Sequence, residues 1–598
     1  MTAADIAPRL AALRAELKRH GLAGVLVPRA DEHQGESVPP HAERLAWLTG
    51  FTGSAGLAVV LADAAAIWVD GRYTLQVRDQ TPAELFEPHH VTQSPPTDWL
   101  AKRLRPGDRL GYDPWLHTIE GVERLRAACA RAGAELVACP ANPVDAVWVD
   151  RPGPPLAPVV PHDVTYAGRD AADKRREIAR ALQEARVDAV VLTAPDSIAW
   201  LLNVRGGDVR YTPLPLAFAL VHADAAVDLF VDARKVRPGL AEHLGPEVRV
   251  AAPGDLGEAL DRLGRARRKV QVDAGSAAAW IFERLGAAGA EVVRGADPCA
   301  LPKACKNPVE LAGARAAHRR DGAALCRFLA WLAGEAPRGR LTEIAAAARL
   351  DAFRAEQALF QEPSFPTISG AGPNGAIVHY RATPATDRRL EPGILYLVDS
   401  GGQYLDGTTD VTRTVAIGPP AAEARDRFTR VLRGHIRLAR ARYPAGTSGA
   451  QLDAFARAPL WEAGLDYDHG TGHGVGSYLG VHEGPQNISK RPSTVALGPG
   501  MIVSNEPGYY KTGAYGIRIE SLVVVTPPAP VPDGELPLLG FETLTLAPID
   551  LTLVEPAGLT GAERAWLDAY HAQVRETIAP LVDPATVAWL DRATRPVG

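Results

Sequence analysis

Four acidic side chains interrupt apolar, strand-like runs in the second half of the sequence, where carboxylates are uncommon. These residues are Asp399 at the end of ILYLVD, Asp410 within TTDVTRTVAI, Glu506 directly after MIVSN, and Glu520 within GIRIESLVVV. Burying an unpaired carboxylate costs several kcal/mol. If these runs are buried strands, a cation must therefore accompany the carboxylates.

The glycine-dense run His469–Gly476 (HGTGHGVG) supplies a histidine, His473, to this set. Glycine lacks a Cβ, so such a run lets the backbone approach a ligand closely, while its spacing does not match the GxGxxG dinucleotide pattern. Carboxylates with a histidine and without cysteine form the ligand set of hard or borderline divalent ions such as Mn, Co or Zn. Two divalent ions would balance four carboxylates that otherwise repel one another. The sequence therefore predicts a dinuclear metal site.

Two further histidines lie in polar, turn-like runs, His379 in NGAIVHY and His482 in VHEGP. A lone histidine is more often a hydrogen-bonded core residue than a functional one, and this interpretation stays open for His379, His482 and His469.

The carboxylates also have structural interpretations. Asp399 could be a turn former at a strand end, Asp410 could lie on an exposed strand face, and Glu506 could begin a loop before Pro507. The metal interpretation depends on the whole set occurring together.

Strands and helices that could position these residues are indicated by local patterns. Ile394–Asp399 and Thr408–Ile417 predict an antiparallel pair, and Met501–Ser504 and Gly516–Thr526 predict two more strands. Leu559–Leu590 predicts a helical tail in which Trp566, Tyr570 and Trp589 pack inward.

A helix start is indicated at Asn307, with Pro308 at the first helical position and Glu310 completing a capping box. Behind it, apolar residues at i, i+3, i+4 and i+7 spacing predict one buried helix face. These residues are Leu325, Phe328, Leu329 and Leu332.

The first two parts of the chain resemble each other. Three segments recur in the same order: LAGVLV as VDAVVL, LAWLTGFTGS as IAWLLNVRGG, and IWVDGR as LFVDAR. Duplication of an α/β domain of about 150 residues explains this order better than chance similarity of α/β units. Proline-rich breaks at Arg151–Pro161 and Pro298–Pro308 predict three domains, 1–158, 159–302 and 303–598.

Composition excludes several classes of function. The 598 residues carry a formal net charge of −5, which offers no basic field for nucleic acid or an anionic membrane. The five cysteines are dispersed without a CxxC pair, which disfavours a disulfide scaffold and fits a reducing compartment. The segment Met1–Leu22 predicts an amphipathic helix, and no apolar run reaches the roughly 18 residues of a membrane span. We therefore expect a cytoplasmic protein.

The chain resembles the pita-bread metallopeptidases, and within them the three-domain Xaa-Pro aminopeptidases (aminopeptidase P). The resemblance covers essentially the whole chain, including FTGSAG and WVDGRY near the start and DSIAWLLN in the middle. Its catalytic motifs are DSGGQYLDGTTDVTRT, DHGTGHGVG, VHEGP, NEPGYY and GIRIE. It implies an α/β (α+β) fold, with two related creatinase-like α/β domains followed by a pita-bread catalytic domain with a helical tail.

The resemblance also implies roles for individual residues. Asp399 would bind the first of two ions, usually manganese(II), and Asp410 and Glu520 would bridge both. His473 and Glu506 would bind the second ion, and Glu506 would also move a proton.

Substrate contacts follow from the resemblance as well. His379 and His482 would contact the substrate and the tetrahedral intermediate, and Arg72 of the first domain would contact the peptide. Arg518 would steady the carboxylates from the same strand face as Glu520, and His469 would support the ligands from behind.

The implied activity is metal-dependent release of the N-terminal residue from peptides with proline at the second position, by a homodimer without nucleic-acid or membrane partners. A prolidase restricted to dipeptides, a methionine aminopeptidase, and a metal-free peptide-binding module on the same fold are the alternatives. The length disfavours the first two, and the five retained ligands disfavour the third.

Overall fold

In the computed structural model, which describes residues 2–597, the N-terminal part of the chain forms two six-stranded mixed sheets. The first sheet and its helices comprise α1 Ala3–Arg19, β1 Gly24–Pro28, α2 Arg44–Thr49, β2 Leu57–Leu61, β3 Ala65–Val69, α3 Gln76–Gln80, β4 Glu87–His90, α4 Pro96–Arg103, β5 Arg109–Tyr112, α5 Ile119–Arg131, β6 Glu135–Ala138 and α6 Pro143–Val147. Its strand order is β4-β3-β2-β1-β5-β6. The predicted amphipathic helix is confirmed as α1, whose Ile6, Leu10, Leu13 and Leu17 are buried.

The second sheet repeats this arrangement. The sheet and its helices comprise α8 Ala171–Glu184, β8 Ala189–Leu192, α9 Pro195–Leu202, β10 Phe218–His222, β11 Val227–Phe230, α10 Leu240–Leu244, β12 Val248–Ala251, α11 Leu256–Arg265, β13 Lys269–Val272, α12 Ala279–Ala288 and β14 Glu291–Arg294. The short strands β7 Val160–Pro161 and β9 Val204–Arg205 pair with each other in a separate two-stranded sheet, and α7 Val164–Ala167 precedes α8. The order is β12-β11-β10-β8-β13-β14. In both sheets the central strand pairs antiparallel on one side and parallel on the other. The predicted relation between two α/β domains is therefore confirmed.

The remaining elements lie in a second compact unit, which comprises Thr165–Gly168 and the chain from Leu301 onward. Its helices are α13 Ala300–Ala304, α14 Pro308–Glu335, α15 Glu343–Ala355, α16 Ala422–Ala439, α17 Gly449–Trp461, α18 Gly561–Ile578 and α19 Pro584–Ala593. Its strands are β15 Phe360–Pro363, β16 Ile368–Ala371, β17 Leu395–Ser400, β18 Gly402–Tyr404, β19 Gly407–Thr408, β20 Val411–Ala416, β21 Gly472–Gly474, β22 Glu483–Ile488, β23 Ile502–Asn505, β24 Gly508–Lys511, β25 Tyr515–Arg518, β26 Ser521–Val525 and β27 Phe541–Thr543.

The helix start predicted at Asn307 is confirmed. The Asn307 side chain accepts hydrogen bonds from the backbone N–H groups of Val309 and Glu310, and the Glu310 carboxylate accepts one from the Asn307 N–H at 2.9 Å. These bonds satisfy donors that have no partner within α14. The apolar face predicted behind this start is buried.

The strand predicted over Gly516–Thr526 is wrong as a single element. β25 pairs with β24, whereas β26 pairs with β23 and β27 in another sheet. Between them, the Ile519 N–H donates to the Pro507 carbonyl and the Glu520 N–H donates to the Thr412 carbonyl at 3.1 Å. These two N–H groups bond neither in the β24–β25 pair nor in the β23–β26 pair. The chain therefore leaves one sheet and enters the next at Ile519 and Glu520.

The antiparallel pair predicted around Asp399 is confirmed as β17 and β20. The short strands β18 and β19 lie between them in sequence and pair with each other in a different sheet. The helical tail is two helices, because α18 ends before Pro584 begins α19. Tyr570 is buried and stacks on Trp566 with ring centres 5.3 Å apart, so this part of the tail packs as predicted. Among the described helices, none combines the length and the apolar character of a membrane-crossing segment.

Candidate metal centre

The sheet register brings carboxylates from distant parts of the sequence together. In the β17–β20 ladder, Asp399 lies opposite Thr412, two residues beyond Asp410. The Glu520 backbone then bonds to the Thr412 carbonyl at the crossing between β25 and β26. Three of the four predicted carboxylates thus converge on Thr412.

His473, in the middle of β21, completes the cluster. One ligand-type atom each from Asp410, His473 and Glu520 lie within 4.8 Å of one another. The Nε2 atom of His473 lies 3.4 Å from Asp410 Oδ2 and 3.7 Å from Glu506 Oε1. His473 Nδ1 lies 3.0 Å from the carbonyl of Gly474. A carbonyl can only accept, so Nδ1 carries a proton, and Nε2 is the ring nitrogen left to face the carboxylates or a metal.

The arrangement fits divalent cations. Asp399 Oδ1 and Asp410 Oδ1 are buried oxygens without a hydrogen-bond partner within residues 2–597. Leaving a buried carboxylate oxygen without a partner costs free energy, so these two oxygens are suited to bind a cation. Carboxylate oxygens and one imidazole are the ligands that manganese, cobalt or zinc accept.

Burial and mutual repulsion dominate the electrostatics of the cluster. Burial raises the pKa of Asp399 to about 6, although the Arg518 guanidinium opposes this shift. Burial also raises the pKa of Glu506, and it raises that of Glu520 well above its usual range with help from Asp410 and Asp399. A cation that binds here would therefore displace the proton that the raised pKa leaves on Glu520 in the metal-free cluster.

The charges that disfavour ionised carboxylates favour the protonated form of His473. Burial alone would lower the pKa of this imidazole, but Asp410 and Glu506 outweigh burial and raise it to about 9. The cluster thus attracts positive charge, whether as a proton on His473 or as a metal ion.

Arg518 and two residues that sequence reasoning missed connect the cluster from behind. Arg518 Nη2 donates to Asp399 Oδ2 at 2.6 Å, and its Nη1 donates to the Tyr510 hydroxyl at 2.7 Å. The Arg518 Nε–H donates at 3.1 Å to Thr412 Oγ1, which itself donates to Glu520 Oε2 at 2.7 Å. The alternation of Asp410, Thr412 and Thr414 along one strand could have signalled Thr412. Tyr510 carries no such signal beyond its place in NEPGYY.

The other histidines lie beside the cluster. The exposed His482 ring is 4.3 Å from the His473 ring, centre to centre. His469 Nε2 lies 2.8 Å from the Tyr510 hydroxyl, and its Nδ1 lies 2.7 Å from the Gly470 carbonyl. Both ring nitrogens of His469 are therefore engaged. Its Nδ1 lies 3.9 Å from Glu506 Oε2, so the ring lies next to the carboxylates.

A separate network fixes the segment that carries His379. Glu343 is fully buried and accepts hydrogen bonds from the Asn374 side chain at 2.9 Å and from the Tyr380 hydroxyl at 2.9 Å. The carbonyl of Val378, next to His379, lies 3.4 Å from Arg518 Nη2. The structure therefore brings the half-buried His379 close to Arg518, whereas the Tyr380 hydroxyl is engaged by Glu343.

Arg72 belongs to the first compact unit, not to the unit that carries the carboxylate cluster. Its guanidinium pairs with Asp70 at 2.8 Å and with Glu36 at 3.3 Å. Burial alone would lower the pKa of Arg72, but the Asp70 carboxylate outweighs it and raises that pKa. These contacts give Arg72 a structural role within its own domain, beside any contact with peptide.

Known proteins match this chain along nearly its whole length. Metallopeptidase family M24 matches residues 312–527, and the C-terminal region of that family matches residues 537–597. Creatinase/prolidase N-terminal domains match residues 9–147 and 150–310. Aminopeptidase P1 of Lotus japonicus is 38% identical over 657 residues, which cover 98% of this chain and 99% of the relative.

Solved structures agree. The crystal structure of X-prolyl aminopeptidase from Caenorhabditis elegans, a cytosolic enzyme with a di-nuclear active site, has a TM-score of 0.94 at 34% identity and covers 99% of both chains. Xaa-Pro dipeptidase from Bacillus anthracis has a TM-score of 0.52 at 26% identity, covering 64% of this chain and 99% of that one. This chain therefore belongs to the aminopeptidase P (Xaa-Pro aminopeptidase) family of the M24 metallopeptidases.

Proposed function

We propose that this chain is a dinuclear, metal-dependent aminopeptidase that hydrolyses the bond between an N-terminal residue and a following proline. The observation that carries this proposal is the convergence of buried carboxylates, two of them with an oxygen that has no partner among residues 2–597, on one imidazole whose Nδ1 is engaged by a carbonyl. Membership in the family directs this chemistry to Xaa-Pro peptides.

The proposed ligands divide between two ions. Asp399 would hold the first ion, His473 and Glu506 would hold the second, and Asp410 and Glu520 would serve both. We propose manganese(II) as the resident metal. When bound, the two ions polarise the scissile carbonyl and bring the pKa of a shared water towards neutrality.

The side chains carry the rest of the mechanism. Glu506 accepts the proton of the attacking water and passes it to the leaving nitrogen, the role of a carboxylate that acts as general base and then as general acid. His482 donates a hydrogen bond to the oxygen that becomes negative in the tetrahedral intermediate. Arg518 holds the Asp399 carboxylate in place.

The preference for proline follows from the shape of the bond that is cut. The proline nitrogen carries no N–H and its ring fixes φ. A site that contacts the ring can therefore orient the carbonyl in a way that an alanine at the same position does not allow. Such contacts discriminate by roughly 1–3 kcal/mol for each missing group. We propose His379 and His482 as the side chains that face this residue, with Arg72 reaching longer peptides.

The test compares kcat/KM for Arg-Pro-Pro, Arg-Ala-Pro and Arg-Pro after loading with Mn²⁺. We expect the alanine peptide to be cut at least about a hundredfold more slowly than Arg-Pro-Pro. Equal rates on these two peptides would refute the proline preference. Cleavage of the dipeptide alone would identify a prolidase. Binding of fewer than two divalent ions by every preparation, without hydrolysis, would identify a binding module.

The domain boundaries and the assembly are part of the same proposal. We propose domains 1–158, 159–302 and 303–598, supported by family matches that change near residues 150 and 311. A cytoplasmic location is supported by the cytosolic C. elegans relative and by five free cysteines. The homodimer is proposed from the family resemblance alone. Light scattering after size-exclusion chromatography tests the dimer, and a monomer at micromolar concentration would refute it.

A further inference from the structure

Glu483 follows His482 and is held by two lysines in the protein interior. Lys306 Nζ donates to Glu483 Oε1 at 2.7 Å, and Lys303 Nζ forms an ion pair with Glu483 Oε2 at 3.0 Å. The three side chains are 1%, 3% and 0% exposed for Lys306, Lys303 and Glu483 respectively. None of these residues takes part in the chemistry proposed above.

Both lysines come from the segment that precedes α14, and this segment is fixed to the sheet that carries the cluster. Lys303 lies in α13, and the Lys306 N–H donates to the Gly500 carbonyl at 3.1 Å. Cys305 forms a β-bridge with Met501, directly before β23. The two ammonium groups are therefore attached to the same framework as the metal cluster.

The backbone of Glu483 packs against the glycine-dense run that carries His473. It begins β22 and lies opposite Gly474, next to His473. A Cβ on Gly474 would lie 2.1 Å from the Glu483 carbonyl oxygen, and a Cβ on Gly476 would lie 2.9 Å from Glu483 Oε2. The glycine-dense run thus packs in direct contact with Glu483. This contact leaves no room for a side chain at either of these two positions.

Stability alone gives little reason for this arrangement. Removing three charged groups from water is costly, and well-packed apolar side chains often replace buried ion pairs without loss. One lysine would already neutralise the carboxylate. Two lysines, one on each oxygen, additionally fix its rotation and hence the backbone at the start of β22. The residue directly before that point is the exposed His482.

We propose that Lys303 and Lys306 are positioning residues that act through Glu483 to hold His482 beside the metal centre. This proposal depends on the role of His482 in the proposed function. On this proposal the two buried ammonium groups fix the position of the exposed His482 imidazole. Loss of one lysine should therefore lower turnover only as far as His482 contributes to it.

The test is a double-mutant cycle with Lys306→Met and His482→Ala, assayed on Arg-Pro-Pro with Mn²⁺. Lys306→Met keeps the Lys303–Glu483 pair, so the protein should fold and bind its metal. We expect kcat to fall about 10- to 100-fold, the usual effect of losing a group that orients a ligand or catalytic side chain, with KM nearly unchanged. In the His482→Ala background the same substitution should have almost no effect, because the two residues act as a unit. Equal losses in both backgrounds, or no loss in the first, would overturn the proposal.

Lys490→Met is the matched control, because Lys490 also pairs with a carboxylate at 2.6 Å, that of Asp466, but is 48% exposed. It should leave kcat unchanged. If Lys306→Met does not fold, Lys303→Met releases the other oxygen and must show the same dependence on His482. Lys306→Arg should restore most of the turnover.

A second measurement does not need activity. Diethyl pyrocarbonate modifies accessible imidazoles, and mass spectrometry gives the rate at His482 relative to the exposed His20 in the metal-free protein. We expect Lys306→Met to change the relative rate at His482 several-fold and Lys490→Met to leave it unchanged. An unchanged rate in Lys306→Met overturns the positioning role. If the rate changes but wild-type protein does not hydrolyse Xaa-Pro peptides, the proposed function fails while the positioning role stands.

Discussion

Substitution of Thr412 by valine should weaken metal binding without a change in side-chain shape. Thr412 is fully buried and its hydroxyl serves two charged neighbours, donating to Glu520 Oε2 at 2.7 Å and accepting from Arg518 Nε at 3.1 Å. Valine has the same volume but no hydroxyl. Without this donor the Glu520 carboxylate is less stable in its anionic form, so its already raised pKa rises further. Protons then compete more strongly with metal.

The size of the effect follows from the lost contact to Glu520. A hydrogen bond to a charged group contributes about 1.5–3 kcal/mol. At 1.4 kcal/mol per tenfold change, this corresponds to about a 10- to 100-fold loss of metal affinity. Arg518 also loses one acceptor but keeps Asp399 and the Tyr510 hydroxyl. We therefore expect Glu520 to account for most of the change.

Thr414→Val provides the matched control on the same strand. Thr414 is also buried, but its hydroxyl donates to the Arg518 carbonyl at 3.0 Å and accepts from the Arg518 N–H at 3.1 Å. It therefore bonds to the backbone and to none of the carboxylates. Thr414→Val should lower the melting temperature while leaving the metal affinity close to that of the wild type.

Competition between the protein and a chelator for Mn²⁺ measures the affinity of each variant, and thermal unfolding of the metal-free proteins measures stability. Thr412→Ser, which keeps the hydroxyl, should restore most of the affinity. The reasoning is refuted if Thr412→Val binds Mn²⁺ as tightly as the wild type. It is also refuted if Thr412→Val and Thr414→Val lose affinity equally, since the effect would then be general loosening of β20.

Three further predictions concern the proposed chemistry and the proposed substrate contacts. Glu506→Gln should lower kcat at least about 10²-fold because a proton acceptor is lost; near-wild-type turnover at saturating Mn²⁺ would contradict this. Metal loading near neutral pH should release protons, and affinity should fall as pH falls, because the raised pKa values of Glu520 and His473 leave protons on the metal-free cluster. Calorimetry in buffers of different ionisation enthalpy measures this release, and identical heats would argue against it. Arg72→Ala should raise KM for longer peptides more than for the shortest ones; a large fall in melting temperature with unchanged KM would instead assign Arg72 to its pair with Asp70.

Local sequence was sufficient to single out the proposed metal ligands. Asp399 and Asp410 could be identified because a charged residue in an apolar strand is a local anomaly. The capping box at Asn307 and Glu310 is also a local signal, since the partners are three residues apart. Such features need no knowledge of which strands become neighbours.

The supporting contacts could not be predicted in the same way. The Thr412–Glu520 bond joins residues 108 positions apart, and the Lys306–Glu483 bond joins residues 177 positions apart. A buried lysine in a short polar segment resembles a solvated one until the fold supplies its carboxylate. The partner of each group is determined by sheet pairing, for which the sequence gives no local signal.

At the crossing between β25 and β26, the predicted proximity of Arg518 and Glu520 is correct, but the predicted continuous strand is wrong. Arg518 and Glu520 were expected to share a face because they are two residues apart in one strand. The strand ends at Arg518, so that reason does not hold. Both side chains nevertheless meet, because each reaches the Thr412 hydroxyl from its own side of the break. A continuous strand would keep the Glu520 N–H in a ladder, whereas the crossing directs it to the Thr412 carbonyl. The same residue of β20 thus holds Glu520, a proposed metal ligand, by both backbone and side chain at the point where the chain leaves one sheet for another.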